Sequence, residues 1–93
     1  MKEMNFNELK HIYFCGIGGI SIARVLLEKD FKVSGSDAKK SNITDDLENR
    51  GVNIFIGQAA ANITDDIDLF VYTAAIHEDN PEFAAVKEKN IPM

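Results

Sequence analysis

The sequence predicts a small three-layer α/β domain, Rossmann-like, with a parallel sheet of four to five strands in the order 3-2-1-4-5. Three observations lead there. Short apolar runs alternate with helix-compatible segments along the chain, and strands separated by helices pair in parallel through right-handed crossovers. The runs are continuous, as in Ile12-Tyr13-Phe14-Cys15 and Leu69-Phe70-Val71-Tyr72, which suits a sheet covered on both faces. Between the first run and the first helical segment lies Gly16-Ile17-Gly18-Gly19-Ile20-Ser21, a glycine loop where such folds aim free backbone N–H groups at a phosphate.

Taken in order, residues Met1 to Lys10 read as a polar lead-in and His11 to Cys15 as a buried strand. Gly16 lets the chain turn off that strand, and Gly18 lets an anion approach the backbone. Ser21 fills the third position of G-x-G-x-x-G, where a small residue allows helix and strand to pack. A helix is expected from about Gly19 to Lys29, with Ile22, Val25, Leu26 and Lys29 in one stripe and Ile20, Ala23 and Leu27 beside it. Asp30 stands where a helix-ending glycine is more usual and tolerates the left-handed conformation.

Phe31 to Gly35 is a second strand, closed by Ser36-Asp37. Asn42 is expected to cap a helix over Ile43 to Arg50, with Asp45 and Asp46 at its positive end, Arg50 at its negative end and Gly51 as its stop. Ile43 and Leu47 are its expected core contacts. Val52 to Ile56 is a third strand, stopped by Gly57. A connection from Gln58 to Asp66 has room for one helical turn, and Asp68 to Thr73 is the fourth strand. Asn80-Pro81 opens the last helix as cap and first-turn proline, with Phe83 and Val86 toward the sheet. Ile91-Pro92-Met93 reads as the start of a further strand.

Bulk properties narrow the function classes. The 93 residues make one domain, small enough to bury only about 60–65% of its unfolded surface. No segment is long enough to span a membrane, and the N-terminus has no apolar signal core, which points to the cytoplasm. A net charge of −5 argues against a broad nucleic-acid surface. It also means that any bound phosphate must be held by local backbone dipoles. The single cysteine, Cys15, excludes an internal disulfide and reads as a small core residue. Neither His11 nor His77 has partners at metal-ligand spacing, so no metal is expected. No nucleophile–base constellation is apparent, and Lys39-Lys40 lacks the preceding G-x-x-x-x-G of a Walker loop.

The candidate site residues follow from topology. Ligands of such sheets bind at the carboxyl ends of the strands, where the winding reverses. The glycine loop opens there. Asp37, about twenty residues beyond it at the end of the second strand, is placed to accept hydrogen bonds from ribose hydroxyls, with Ser36 beside it. Thr73-Ala74-Ala75 follows the fourth strand, across the switch point, and its small side chains leave room for a ligand. From the residues alone a dinucleotide comes first. That reading corresponds to an NAD-binding module of an oxidoreductase or redox-sensing regulator; an α/β interaction domain whose glycines serve only the turn is a further alternative.

His11 to Ser21, Val33-Ser34-Gly35-Ser36-Asp37, Thr73-Ala74-Ala75-Ile76, Asp79-Asn80-Pro81-Glu82 and Asn90-Ile91-Pro92 together resemble the N-terminal domain of the UDP-N-acetylmuramate–L-alanine ligases, within the Mur ligase family of peptidoglycan synthesis. The resemblance runs from about His11 to Met93. It implies a single N-terminal domain over 1–93 that holds the UDP part of UDP-N-acetylmuramic acid and is not itself catalytic. It places Gly16, Gly18, Gly19, Ile20 and Ser21 at the pyrophosphate, Asp37 with Ser36 at the uridine end, and Thr73, Ala74 and Ala75 against the phosphates from the other side. In the full enzyme, further domains use ATP and magnesium to join L-alanine to the lactyl carboxylate through an acyl phosphate; this domain binds no cofactor of its own. Three departures from the family stand out. The stretch after Ser21 is about three residues short, nearly one helical turn. Gln58 stands in place of a histidine, and Asp30 in place of the helix-ending glycine.

Overall fold

The computed structural model describes residues 10–19, 22–73 and 76–93. Strand β1 (His11–Cys15) leads through a 3-10 turn (Ile17–Gly19) to helix α1 (Ile22–Glu28), then β2 (Lys32–Asp37), α2 (Asn42–Asn49) and β3 (Asn53–Ile56). A second 3-10 turn (Ala60–Asn62) precedes β4 (Leu69–Tyr72) and α3 (Pro81–Glu88). All pairings are parallel, in the order β3-β2-β1-β4. This is the expected α/β architecture with four strands. The segment expected to begin a fifth lies beside β4 and is marked by one bond, Phe70 N–H to the Pro92 carbonyl at 2.8 Å.

The pleat sends Ile12, Phe14 and Val33 to one face of the sheet, where they pack with Ile17, Ala23, Leu26, Leu47 and Val52. Tyr13, Cys15 and Phe70 go to the other, with Ile63, Ile67, Phe83, Val86 and Ile91. Phe83 and Val86 thus face the sheet as expected, and Cys15 is fully buried.

Two helix faces differ from the expected ones. On α1, among the residues whose burial is described, Ala23 and Leu26 are buried, while Val25 is 47% exposed. On α2, Leu47 is buried but Ile43 is 47% exposed, and Thr44 takes the inward position. The start of α2 also differs from the expected one. Ser41, not Asn42, is the N-cap: its hydroxyl accepts the Thr44 N–H at 3.2 Å, and its own N–H donates to Thr44 Oγ1 at 2.8 Å. The box is reciprocal, and in the same turn Thr44 is buried while Ile43 is exposed. Helix ends otherwise follow the sequence. Asp30 closes α1 with φ 68°, and Asn80 caps α3 by accepting from Glu82 N–H at 2.9 Å.

Candidate functional site at the carboxyl ends of the strands

The winding reverses between β1 and β4. Gly16 leaves β1 with φ +78°, a conformation that favours glycine. Its N–H donates to the Ser36 carbonyl at 2.9 Å, tying the loop to the end of β2. The 3-10 turn then folds back over β2. A Cβ on Gly35 would lie 2.5 Å from the Phe14 carbonyl oxygen and 2.9 Å from Ile17 Cδ1. Gly35 is therefore what lets the loop pass so close to the second strand, a role its place inside a strand did not announce.

The glycine loop and the acid of β2 meet. Asp37 Oδ2 accepts the Gly18 N–H at 2.9 Å, and Oδ1 accepts the Lys39 N–H at 3.3 Å. A Cβ on Gly18 would sit 2.6 Å from that same Oδ2. Gly19 ends the 3-10 turn. Thr73 follows β4, exposed, and its carbonyl accepts the Ile76 N–H at 3.0 Å. A Cβ on Gly16 would lie 3.9 Å from Ile76 Cδ1, so the segment after β4 comes alongside the glycine loop. Ile20, Ser21, Ala74 and Ala75 lie outside the described residues.

Ser36 points the other way. It is fully buried, and its hydroxyl donates to Glu82 Oε1 at 2.6 Å. Glu82, in the first turn of α3, is also fully buried. Its Oε2 accepts from Tyr13 Oη at 2.9 Å, Asn62 Nδ2 at 2.9 Å and the Ala59 N–H at 3.2 Å. A buried carboxyl is tolerable only with such a set of donors. The network joins β1, β2, the second 3-10 turn and α3 directly behind the site. Burial, then the nearby Glu82 charge, pushes the Cys15 thiol up to about 12. Burial likewise raises the Tyr13 phenol far above its ordinary value. Neither group ionises near neutrality. Gln58 Oε1 accepts from Asn80 Nδ2 at 2.6 Å, so the residue that departs from the family pattern holds the cap of α3.

A second polar chain runs along the opposite, amino end of the sheet. Ser34 Oγ lies 2.6 Å from His11 Nε2, and His11 Nδ1 lies 3.2 Å from Asp66 Oδ2. Thr64 Oγ1 donates to Asp66, and Lys32 Nζ reaches it at 3.2 Å. These two contacts hold the Asp66 carboxyl below the usual carboxylate range. The chain borders a cavity of about 170 Å³ shared with Asn53, Phe55 and Asn62. No local pattern marks this chain, since Ser34 and Asp66 lie 23 and 55 residues from His11.

A parallel sheet reversing at a glycine turn, with an acid on the neighbouring strand reaching that turn, defines the class: a Rossmann-like α/β domain. Comparison with known proteins narrows it. Residues 11–93 match the profile described as Mur ligase family, catalytic domain; the chain belongs to the Mur ligase family. It is 55% identical to the UDP-N-acetylmuramate–L-alanine ligase of Lachnospira eligens, across all of this chain and 21% of that protein. It is 53% identical to that of Clostridium kluyveri, over 98% of this chain and 21% of that one. The chain thus spans about a fifth of the length of these relatives. The UDP-N-acetylmuramate–alanine ligase of Thermotoga maritima superposes with a TM-score of 0.84 at 33% identity, over 88% of this chain and 20% of that one. A UDP-N-acetylmuramate:L-alanyl-gamma-D-glutamyl-meso-diaminopimelate ligase from Neisseria meningitides gives 0.78 at 28%, over 90% and 28%. The Lachnospira alignment needs 96 positions for the 93 residues of this chain, so three positions have no counterpart here.

Proposed function

We propose that this chain is the nucleotide-holding N-terminal domain of a cytoplasmic, ATP-dependent ligase of peptidoglycan precursor synthesis, one that joins L-alanine to UDP-N-acetylmuramic acid. Residues 1–93 hold the UDP portion. ATP and magnesium, which activate the carboxylate for ligation, act on domains beyond these residues. The observation that carries the reading is the meeting of Gly18 and Asp37 at the carboxyl ends of β1 and β2. It brings an amide for a phosphate oxygen and an acceptor for ribose hydroxyls into one corner. Gly18, Gly19, Ile20 and Ser21 receive the pyrophosphate through backbone N–H groups, and Gly16, whose own N–H is held by the Ser36 carbonyl, supplies the turn that brings them there. Thr73, Ala74 and Ala75 flank it from β4. Ser36 contributes through its backbone and its hold on Glu82, since its hydroxyl is already committed. The names of the relatives favour a uridine nucleotide over a nicotinamide one. The net charge of −5 supports a small-molecule partner over nucleic acid.

The test is a titration of the chain with UDP-N-acetylmuramic acid and, separately, NADH, followed by amide NMR. Saturable shifts at Gly16 to Gly19 and Asp37 with the uridine nucleotide alone are expected. Shifts with NADH alone overturn the reading. Gly18→Val, which pushes a branched side chain into the space beside Asp37, is expected to lower affinity at least tenfold.

A further inference from the structure

The Gly18 amide already has an anionic acceptor. We propose that Asp37 stands in for the phosphate: its carboxylate and the ligand's diphosphate take turns on the Gly18 N–H, and nucleotide binding turns Asp37 away toward the ribose hydroxyls. The inference rests on the nucleotide reading above and concerns how that same site is regulated and what it selects.

Asp37 Oδ2 lies 2.9 Å from the Gly18 nitrogen, and a Cβ built on Gly18 would come 2.6 Å from the same oxygen. The carboxylate therefore fills the space over Gly18 that a phosphate oxygen must enter. One N–H cannot serve both at full strength, and two anions in contact repel strongly in a partly buried corner. The backbone around the acid is fixed, by Gly57 N–H to the Asp37 carbonyl at 2.8 Å and Gly16 N–H to the Ser36 carbonyl at 2.9 Å. Displacement is thus a rotation of the Asp37 side chain, not a movement of the loop. The Lys39 N–H at 3.3 Å from Oδ1 offers it a remaining donor.

A selectivity follows. Any diphosphate must break the Gly18–Asp37 bond. A nucleoside diphosphate recovers that loss when the freed carboxylate accepts its ribose hydroxyls; inorganic pyrophosphate does not. The acid thereby penalises bare pyrophosphate and spares the nucleotide.

The experiment is calorimetric titration of the wild-type chain, Asp37→Asn and Asp37→Ala with UDP and with inorganic pyrophosphate, with the Gly18 amide followed by NMR. Loss of a charge-assisted hydrogen bond to a competing group is worth about tenfold. Asp37→Ala is expected to bind pyrophosphate about tenfold tighter than wild type. Asp37→Asn, which keeps the shape and an acceptor but not the charge, is expected in between. The preference for UDP over pyrophosphate should shrink in both. If UDP leaves the wild-type Gly18 amide unmoved at saturation, the nucleotide reading fails and the exchange fails with it. If UDP moves it but both variants bind pyrophosphate no better than wild type, the reading stands and the exchange is wrong. Weaker pyrophosphate binding in both variants would make Asp37 a support for the loop, and also overturns the proposal.

Discussion

Strand β1 turns Ile12 and Phe14 to one face of the sheet and His11, Tyr13 and Cys15 to the other, and the two sets of neighbours are held by different forces. On the α1/α2 face, Ile12, Phe14, Val33, Leu26, Leu47 and Val52 form an apolar layer. On the α3 face, the apolar side chains share space with Glu82, Ser36, Ser34 and His11, all buried. The first face gains from removing area from water and forgives small shifts in partner. The second depends on specified donors reaching specified acceptors, because a buried polar group that loses its partner costs far more than the bond contributed. The contrast teaches where the molecule is brittle: the site rests on the polar face, through Ser36 and Glu82.

The largest expected effect tests that directly. Glu82→Ala leaves the Tyr13 hydroxyl, the Ser36 hydroxyl, Asn62 Nδ2 and the Ala59 N–H without their shared acceptor. Only the Tyr13 and Ser36 bonds are buried; with each orphaned buried donor costing about 1–3 kcal/mol before relaxation, the variant should lose roughly 3–5 kcal/mol in urea unfolding, a large share of the stability of a domain this small. Glu82→Gln keeps an acceptor oxygen and should lose less. A Glu82→Ala chain as stable as wild type would remove the distinction between the faces.

Next comes Gly35→Ala, on the apolar face. Its methyl would lie 2.5 Å from the Phe14 carbonyl oxygen, and backbone cannot yield as a side-chain tip can. Overpacking of this kind costs about 1–3 kcal/mol. Because the crowded residue is Ile17, in the 3-10 turn, the same variant should also disturb the amide signals of Gly16 and Gly18. A stability loss with an unmoved glycine loop would show that the turn is not seated on β2.

How much of this was readable beforehand divides along the same line. The strands, Gly16 as the turn, Asp30 in the left-handed region and Asn80-Pro81 as a helix start were legible because each depends on a few neighbouring residues. So was the placement of Asp37 at a strand end beside the glycine loop. Its bond to Gly18 was not, since it follows from the parallel register that puts Phe14 opposite Gly35 and Cys15 opposite Ser36. Glu82 was unreadable for a stronger reason: its partners Tyr13 and Ser36 lie 69 and 46 residues away. Ser41 and Asn42 are both good caps, and the one with threonine three residues on won.

Acid should act on the polar chain at the amino end of the sheet. The Asp66 carboxyl is held low by the Thr64 hydroxyl and then the Lys32 ammonium. A carboxyl depressed on folding stabilises above its unfolded value, near 3.8 here, and loses that contribution as pH falls through its folded value. The melting temperature should therefore decline below about pH 4, and Asp66→Asn should flatten part of that decline. The group is more than half exposed, so the difference should be small.

The smallest expected effect returns to α2. Ile43 is 47% exposed although its spacing from Leu47 marks it as a core residue. If the capping box sets the roll of the helix, Ile43→Ser changes stability by less than about 0.5 kcal/mol, the range for surface positions. Leu47→Ala, on the buried side, should cost about 2–5 kcal/mol. The informative variant is Ser41→Ala with Thr44→Val, which removes both side-chain bonds of the box. Freed of them, α2 can roll toward its apolar pair, and Ile43→Ser made in that background should become costly. A cost for Ile43→Ser that is the same in both backgrounds would mean that packing against β2 and β3, not the cap, decides which side of α2 faces the sheet.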